Sequence, residues 1–165
     1  MAITPKVVNW DGEVHLTWVE TSQPPQQIEH VTSVHGFCFD GATLLLVDLN
    51  NRGWDVPGGH VEAGERPEES FAREAMEEGY VEGDSSLLGY IIVDHSHNAN
   101  WNEKSVYPQV GYQLFYKMNI TKVHPFLGEF ESSRRLFISP DQVNQFYHGW
   151  DELYHEMVTC ATKDK

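Results

Sequence analysis

Gly58 to Val81 reads GGHVEAGERPEESFAREAMEEGYV. Two adjacent glycines open the stretch, and Pro67 stands where a helix begins, because the first turn has no need of its missing N–H. The helix is expected from about Pro67 to Glu78, ending at Gly79, a natural C-terminal glycine. At about 100° per residue, Glu74, Glu77 and Glu78 fall within one face about 100° wide. Phe71, Ala72, Ala75 and Met76 cover the opposite side, the face expected to dock on a sheet. Glu74 and Glu78 are like charges four residues apart, a destabilising pair unless a cation or solvent relieves it. Arg73 lies four residues from both Glu69 and Glu77 and can steer these carboxylates by ion pairing. Carboxylates are hard oxygen ligands suited to Mg²⁺ or Mn²⁺, whereas no His/Cys cluster has zinc-like spacing. A solvated acidic face is the alternative reading of the same helix.

Outward from this stretch, the chain alternates short β-prone runs with turns. Gly12 to Val19 sets Val14, Leu16 and Trp18 against His15 and Thr17, a half-buried strand. Ser22 to Gln27, with two prolines, forms a linker. Val31–Phe39 and Thr43–Asp48 are apolar runs joined by Asp40-Gly41-Ala42, a hairpin signal. Asn50 to Gly53 is a loop and Trp54-Asp55-Val56 a short strand. Beyond the helix, Leu87–Val93 and Val110–Met118 are strands separated by a long polar and aromatic loop, Asp94 to Gln109. Leu136-Phe137-Ile138 is a strand, Ser139-Pro140 starts a helix that ends at Gly149, and a final helix sets Trp150, Leu153, Tyr154, Met157 and Val158 on one core-facing stripe.

Composition narrows the classes. With 165 residues the chain suits one domain. With 11 Lys+Arg against 25 Asp+Glu, the formal charge is −14. That balance repels nucleic-acid backbones and argues against a duplex or long RNA as ligand. It also repels a free polyphosphate unless cations stand between the two. No run approaches a membrane span of about 20 apolar residues. The N-terminus, Met1 to Lys6, has no basic-then-apolar leader pattern, and two cysteines, Cys38 and Cys160, are read as free thiols. The expected location is the cytoplasm.

Gly59, Glu65 and Arg73-Glu74-x-x-Glu77-Glu78, at their spacing, closely resemble the Nudix box of MutT-like hydrolases. Six matched positions agree by chance at roughly 10⁻⁸ per starting point. One position departs: the family expects glycine where this chain has Tyr80, and here the glycine comes earlier, at Gly79. Gly79 is therefore expected to end the helix with a positive φ. The resemblance implies a Nudix-type α/β/α sandwich with a mixed β-sheet. It is read as one domain over 1–165, with a strand-and-linker extension at 1–30, a core at 31–148 and a C-terminal helix at 149–165. The extension is not explained by the family pattern.

The resemblance further implies metal ligands at Glu74, Glu77, Glu78 and the Gly58 carbonyl, with Gly59, Glu65 and Arg73 supporting the loop–helix geometry. A later carboxylate often completes such sites, or acts as base; Glu131 is the choice and Glu129 the reserve. Glu74, Glu78 and Glu131 are the candidate catalytic residues, and Mg²⁺ or Mn²⁺ the implied cofactor. The implied reaction is hydrolysis of a diphosphate linkage in a nucleoside diphosphate derivative. A nucleoside triphosphate, oxidised ones included, leads by default, giving the monophosphate and pyrophosphate. A nucleotide-binding module without catalysis is the rival. The residues at His97-Asn98-Ala99 match neither the ADP-ribose nor the dinucleoside-polyphosphate marker. Trp54, Trp101 and Tyr107 are candidates to stack on a base, and Lys104, Lys117, Arg134 and Arg135 are basic residues expected near the site. Relatives are often homodimers, but no interface is legible in the sequence.

Overall fold

A computed structural model of the chain describes residues 5–163. The N-terminal tetrapeptide of the leader reading lies outside them. Among the described residues, nine strands form a mixed sheet: β1 Lys6–Asn9, β2 Glu13–Glu20, β3 Val31–Asp40, β4 Thr43–Leu49, β5 Gly53–Asp55, β6 Gly58–His60, β7 Val81–Asp94, β8 Val110–Val123 and β9 Ser132–Ile138. The main path runs β1-β2-β7-β8-β3-β4-β5, with β6 on β3 and β9 on β4. β3 and β8 pair in parallel, and the other pairings are antiparallel. The β3–β4 hairpin closes at Asp40↔Thr43 around Gly41, whose φ is +59°.

Alternation along the central strands loads both faces, as a sheet covered on two sides requires. Phe37 and Phe39 of β3, with Leu44 and Leu46 of β4, join one apolar cluster. Cys38, Leu45 and Val47 point into the other. The helix α2, Glu152–Thr162, covers the first face with Met157, Val158 and Ala161. Asp151 caps it, accepting hydrogen bonds from the Leu153 and Tyr154 amides at 3.0 and 3.2 Å. The expected stripe from Trp150 to Val158 does pack in this core.

The helix α1, Pro67–Glu74, covers the second face. Pro67 occupies its first turn, and the Glu69 carboxylate accepts from the Arg66 amide at 2.9 Å. Helix and strand meet closely, since a Cβ on Gly36 would lie 2.2 Å from the Phe71 ring. Cys38 and Cys160 are both free and buried, and burial pushes the Cys38 thiol far above its usual range. No helix among the described residues is long and apolar enough to cross a membrane.

Several expectations are corrected. After Glu74 the helix widens into a π turn, Ala75–Gly79, and the left-handed residue is Tyr80, with φ +56°, not Gly79. The glycine serves packing instead: a Cβ at Gly79 would stand 2.6 Å from Leu45 Cδ2. Tyr80 is held in its unfavourable conformation by its surroundings. Its hydroxyl accepts from the Glu129 amide at 2.8 Å, its carbonyl accepts from the His124 amide at 2.9 Å, and its ring meets Phe126 edge-on.

The docking face also differs from the one expected. Phe71, Glu74, Ala75 and Glu78 are buried, whereas Ala72 is exposed. Spacing of 0, 3, 4 and 7 puts two glutamates inside the packed stripe, so the carboxylates enter the protein rather than face away from the sheet. Ser139-Pro140 opens only a 3₁₀ segment, Pro140–Gln145, in which Val143 is the one buried side chain. β7 and β8 run longer than expected. Register shifts at Glu82/Gly83 and Leu87/Gly89 break the period-2 pattern that would have marked their outer halves. The extension before residue 30 contributes a hairpin: β1 pairs with β2, β2 with β7, and Val14, Leu16 and Trp18 enter the core.

Candidate active site

The loop between β5 and α1 brings the two glycines back against the helix. β6 pairs with β3 at Val34↔Gly59 and His35↔Gly58, which fixes the loop's backbone. The Gly58 amide donates to Glu78 Oε1 at 3.0 Å. A Cβ on Gly59 would lie 2.5 Å from Glu74 Oε2, so a bare backbone is what lets that carboxylate sit there. Both glutamates are buried, Glu78 at 2% exposure and Glu74 at 8%. Glu78 Oε2 is buried with no hydrogen-bond partner.

Arg73 organises the charges around them. Its Nε donates to Glu65 Oε2 at 2.8 Å and its Nη2 to Glu65 Oε1 at 3.1 Å, a forked pairing. Its Nη1 reaches Glu74 Oε1 at 2.5 Å and Glu77 Oε2 at 3.2 Å. Glu65 also accepts from the Ser70 hydroxyl at 2.6 Å and the Glu62 amide at 3.2 Å. Hydrogen bonds from Arg73 and then Ser70 hold the Glu65 carboxyl down to about 2. The helix entrance is thereby tied to the middle of α1.

Burial acts the other way on the inner pair. It raises Glu74 despite the Arg73 contact, and it pushes Glu78 up to about 8, with the neighbouring Glu74 charge adding to the effect. Two buried carboxylates side by side repel each other, and each would gain from a positive partner.

A cleft of about 450 Å³ opens beside them, lined by Gly58, Gly59, Arg73, Glu74, Glu77 and Glu131 among others. The structure thus brings the Nudix-box residues together, and Glu131 with them. Glu129 is not among the lining residues, and its backbone amide donates to the Tyr80 hydroxyl. Arg52, Asn51, His60 and Glu62 also line the cleft. The sequence does not single these out: Asn50 to Gly53 signals a turn whatever its side chains do, and His60 and Glu62 fall between the fixed positions of the box. None of the four basic residues expected nearby lines the cleft, and three of them are engaged elsewhere. Arg134 pairs with Asp48 at 2.6 Å, Arg135 donates to the Gly79 carbonyl at 2.8 Å, and Lys117 stands over the Phe39 ring.

Among the described residues, no three His, Cys, Asp or Glu side chains converge as a ready-made metal cage. The reason is visible in the Arg73 contacts, which draw Glu74 Oε1 and Glu77 Oε2 toward the guanidinium. The donor chemistry nevertheless fits a hard divalent cation: Glu74, Glu77 and Glu131 carboxylates line one cleft, and Glu78, whose Oε2 is buried without a partner, accepts from the amide of Gly58 in the cleft wall.

The aromatic candidates separate. Tyr107 lines a second cavity, next to His60. Trp101 donates from Nε1 to the Tyr107 carbonyl at 3.0 Å and supports that loop. Trp54 packs edge-on against Phe146, with Arg134 over its ring.

A family model described as the NUDIX domain matches residues 29–157. No curated protein matches the chain in sequence. Among solved structures, the chain is similar to the Bacillus subtilis pyrophosphohydrolase BsRppH in an E68A mutant, with TM-score 0.70, 19% identity, and coverage of 96% of this chain and 95% of that one. It is also similar to an ADP-ribose pyrophosphatase of Streptococcus suis, with TM-score 0.57, 17% identity, and 81% and 92% coverage. A third is the NUDIX domain of Shewanella oneidensis NrtR complexed with ADP ribose, at TM-score 0.58, 18% identity, and 79% and 86% coverage. These likenesses establish the fold, an α/β/α sandwich around a mixed sheet.

Proposed function

The chain belongs to the NUDIX family, and from that premise we propose that it is a pyrophosphohydrolase that uses a divalent cation to cleave a diphosphate linkage in a nucleoside diphosphate derivative. The observation that carries this reading is the buried pair Glu74 and Glu78, with Glu78 Oε2 unpartnered beside an acidic cleft. Two buried carboxylates cost stability unless a ligand repays it. A fold with no use for a cation would replace them.

Glu74, Glu77, Glu78 and the Gly58 carbonyl are the proposed ligands, with Glu131 also lining the cleft. Bound there, Mg²⁺ or Mn²⁺ would neutralise the diphosphate and lower the pKa of a coordinated water. Arg73 and Glu65 hold the helix against the loop, so that the carboxylates keep their spacing. The reading extends to a nucleoside triphosphate, oxidised forms included. A water oxygen bonds to the α-phosphorus, the α–β bridging P–O bond breaks, pyrophosphate leaves, and the water's proton passes to a cleft carboxylate. Glu131 is the proposed acceptor because it is solvent-exposed at the cleft wall. The solved relatives that bear the names of pyrophosphohydrolase and ADP-ribose pyrophosphatase support the reaction class.

The test is release of phosphate or pyrophosphate from nucleoside di- and triphosphates, dinucleoside polyphosphates and nucleotide sugars, with Mg²⁺ or Mn²⁺. Metal-dependent release from at least one is expected. Saturable binding without release from any would instead identify a nucleotide-binding module.

A further inference from the structure

A second cavity, of about 300 Å³, adjoins the carboxylate cleft. Among its walls are Trp10, Ser33, His60, His95, Tyr107 and Gln113, and His60 lines the cleft as well. In a protein of net charge −14, no Asp, Glu, Lys or Arg is among the described residues that line this cavity. Its size is at the lower end of small-molecule sites, which span about 300–1,000 Å³. Its rings are left with exposed surface: Trp10 is 44% exposed and Tyr107 46%. The Tyr107 and His60 rings stack at 6.2 Å, and the Tyr107 hydroxyl lies 3.3 Å from His60 Nε2.

A cavity walled by rings, without Asp, Glu, Lys or Arg and with a carboxamide and a hydroxyl, suits a flat heterocycle whose edge both donates and accepts hydrogen bonds. A phosphate chain would run from it past His60 into the cleft.

The wall containing Trp10 is built deliberately. Trp10 sits in the turn between β1 and β2, in the segment that precedes the family match at residue 29. The 95–109 loop is clasped to that turn. Asn100 Nδ2 donates to the Asp11 carbonyl at 3.2 Å, and Gly12, at φ +116°, lies so close to Asn98 that a Cβ would overlap its carboxamide oxygen. The extension therefore closes one side of the cavity, against Tyr107 and Pro108 of the loop.

We propose that this cavity seats the base of the nucleotide substrate and that Trp10, from outside the family-matched region, is a specificity-determining residue that stacks on it. The proposal rests on the pyrophosphohydrolase reading, which supplies the phosphate end of the ligand. Gln113 reads the edge of the base.

The experiment is titration of the isotope-labelled full chain, without metal, with adenosine, guanosine, cytidine and uridine, followed by amide and indole NMR shifts. At least one nucleoside is expected to shift Trp10, Gly111 and Gln113 saturably. Trp10→Ala should weaken that binding about tenfold or more, the scale of losing one base–aromatic stack. Trp10→Phe, which keeps a ring, should stay within about threefold. Absence of saturable shifts with all four nucleosides, shifts clustered away from the cavity, or a Trp10→Ala protein that binds as wild type would overturn the proposal. Because no metal or turnover enters this measurement, it separates the two claims. Nucleotide hydrolysis without shifts at Gln113 contradicts the base seat alone, and shifts without hydrolysis of any diphosphate contradict the reaction alone.

Discussion

Gly59 and Glu74 are in contact: a Cβ on the glycine would stand 2.5 Å from Glu74 Oε2. The obstructing atom is the tip of a flexible side chain, so a methyl group there would move the carboxylate without unfolding the loop. Gly59→Ala is expected to cut turnover by about 100-fold, the scale of a 1 Å misplacement at a reacting centre. The melting temperature should change little. Calorimetry beside steady-state kinetics checks both halves, and a variant of normal activity would show that the position of Glu74 is unimportant.

The forked Arg73–Glu65 pairing leads to a second expectation. Lysine can satisfy the charge but not the fork, and its single ammonium cannot reach Glu65, Glu74 and Glu77 together. Arg73→Lys should weaken Mn²⁺ binding by about 10- to 100-fold, as loss of supporting contacts around metal ligands does. Titration of Mn²⁺ followed by electron paramagnetic resonance reads this directly. Unchanged affinity would remove Arg73 from the positioning role.

Tyr80 gives a stability test. Its left-handed backbone costs about 1–2 kcal/mol, whereas removal of a large buried ring costs about 3–5 kcal/mol. Tyr80→Gly should therefore destabilise by about 2–3 kcal/mol despite the easier backbone. Tyr80→Phe should cost about 1 kcal/mol, the value of the hydrogen bond its hydroxyl accepts from the Glu129 amide. Chemical denaturation measures both, and a stabilised Tyr80→Gly would mean that strain outweighs the ring contacts.

The buried glutamate also makes stability depend on pH. Glu78 titrates at about 8 when folded, against 4.5 ordinarily. The folded state therefore holds a proton that the unfolded state has lost, and stability falls as pH rises through this window. His35, pulled down to about 4 by burial, opposes the trend only below its ordinary 6.5. Between pH 6.5 and 8 the metal-free protein should thus lose stability with rising pH. Glu78→Gln should flatten the slope, and Mn²⁺ should raise the melting temperature more at pH 8 than at 6.5. A flat wild-type profile without metal would contradict the burial of an ionisable Glu78.

Much of this was legible in the residues. The spacing of Gly59, Glu65, Arg73, Glu74, Glu77 and Glu78 points to the family, and Gly59, Arg73, Glu74 and Glu77 of that set line the cleft. The hairpin at Asp40-Gly41 and the terminal helix stripe were readable because turn chemistry and apolar period agreed. Tyr80 was misread for a tertiary reason: propensity favours glycine at a left-handed position, but Gly79 was already committed to the close approach of Leu45. Apolar spacing alone does not mark the docking face of α1, because the buried stripe runs through Glu74 and Glu78. Register shifts near Gly83 and Gly89 erased the alternation that would have shown the full length of β7. Arg52 and Trp10 could not be found from the sequence, since only folding brings the Arg52 loop to the cleft and the Trp10 turn to the cavity beside it.

The measurement that bears most directly on the whole account is Mn²⁺ titration and pyrophosphate release in Glu78→Gln beside the wild type. The account predicts saturable, stoichiometric Mn²⁺ binding and metal-dependent turnover in the wild type. In the variant it predicts an intact fold and turnover lower by at least about 100-fold. A Glu78→Gln protein that binds Mn²⁺ and hydrolyses as the wild type does would contradict it.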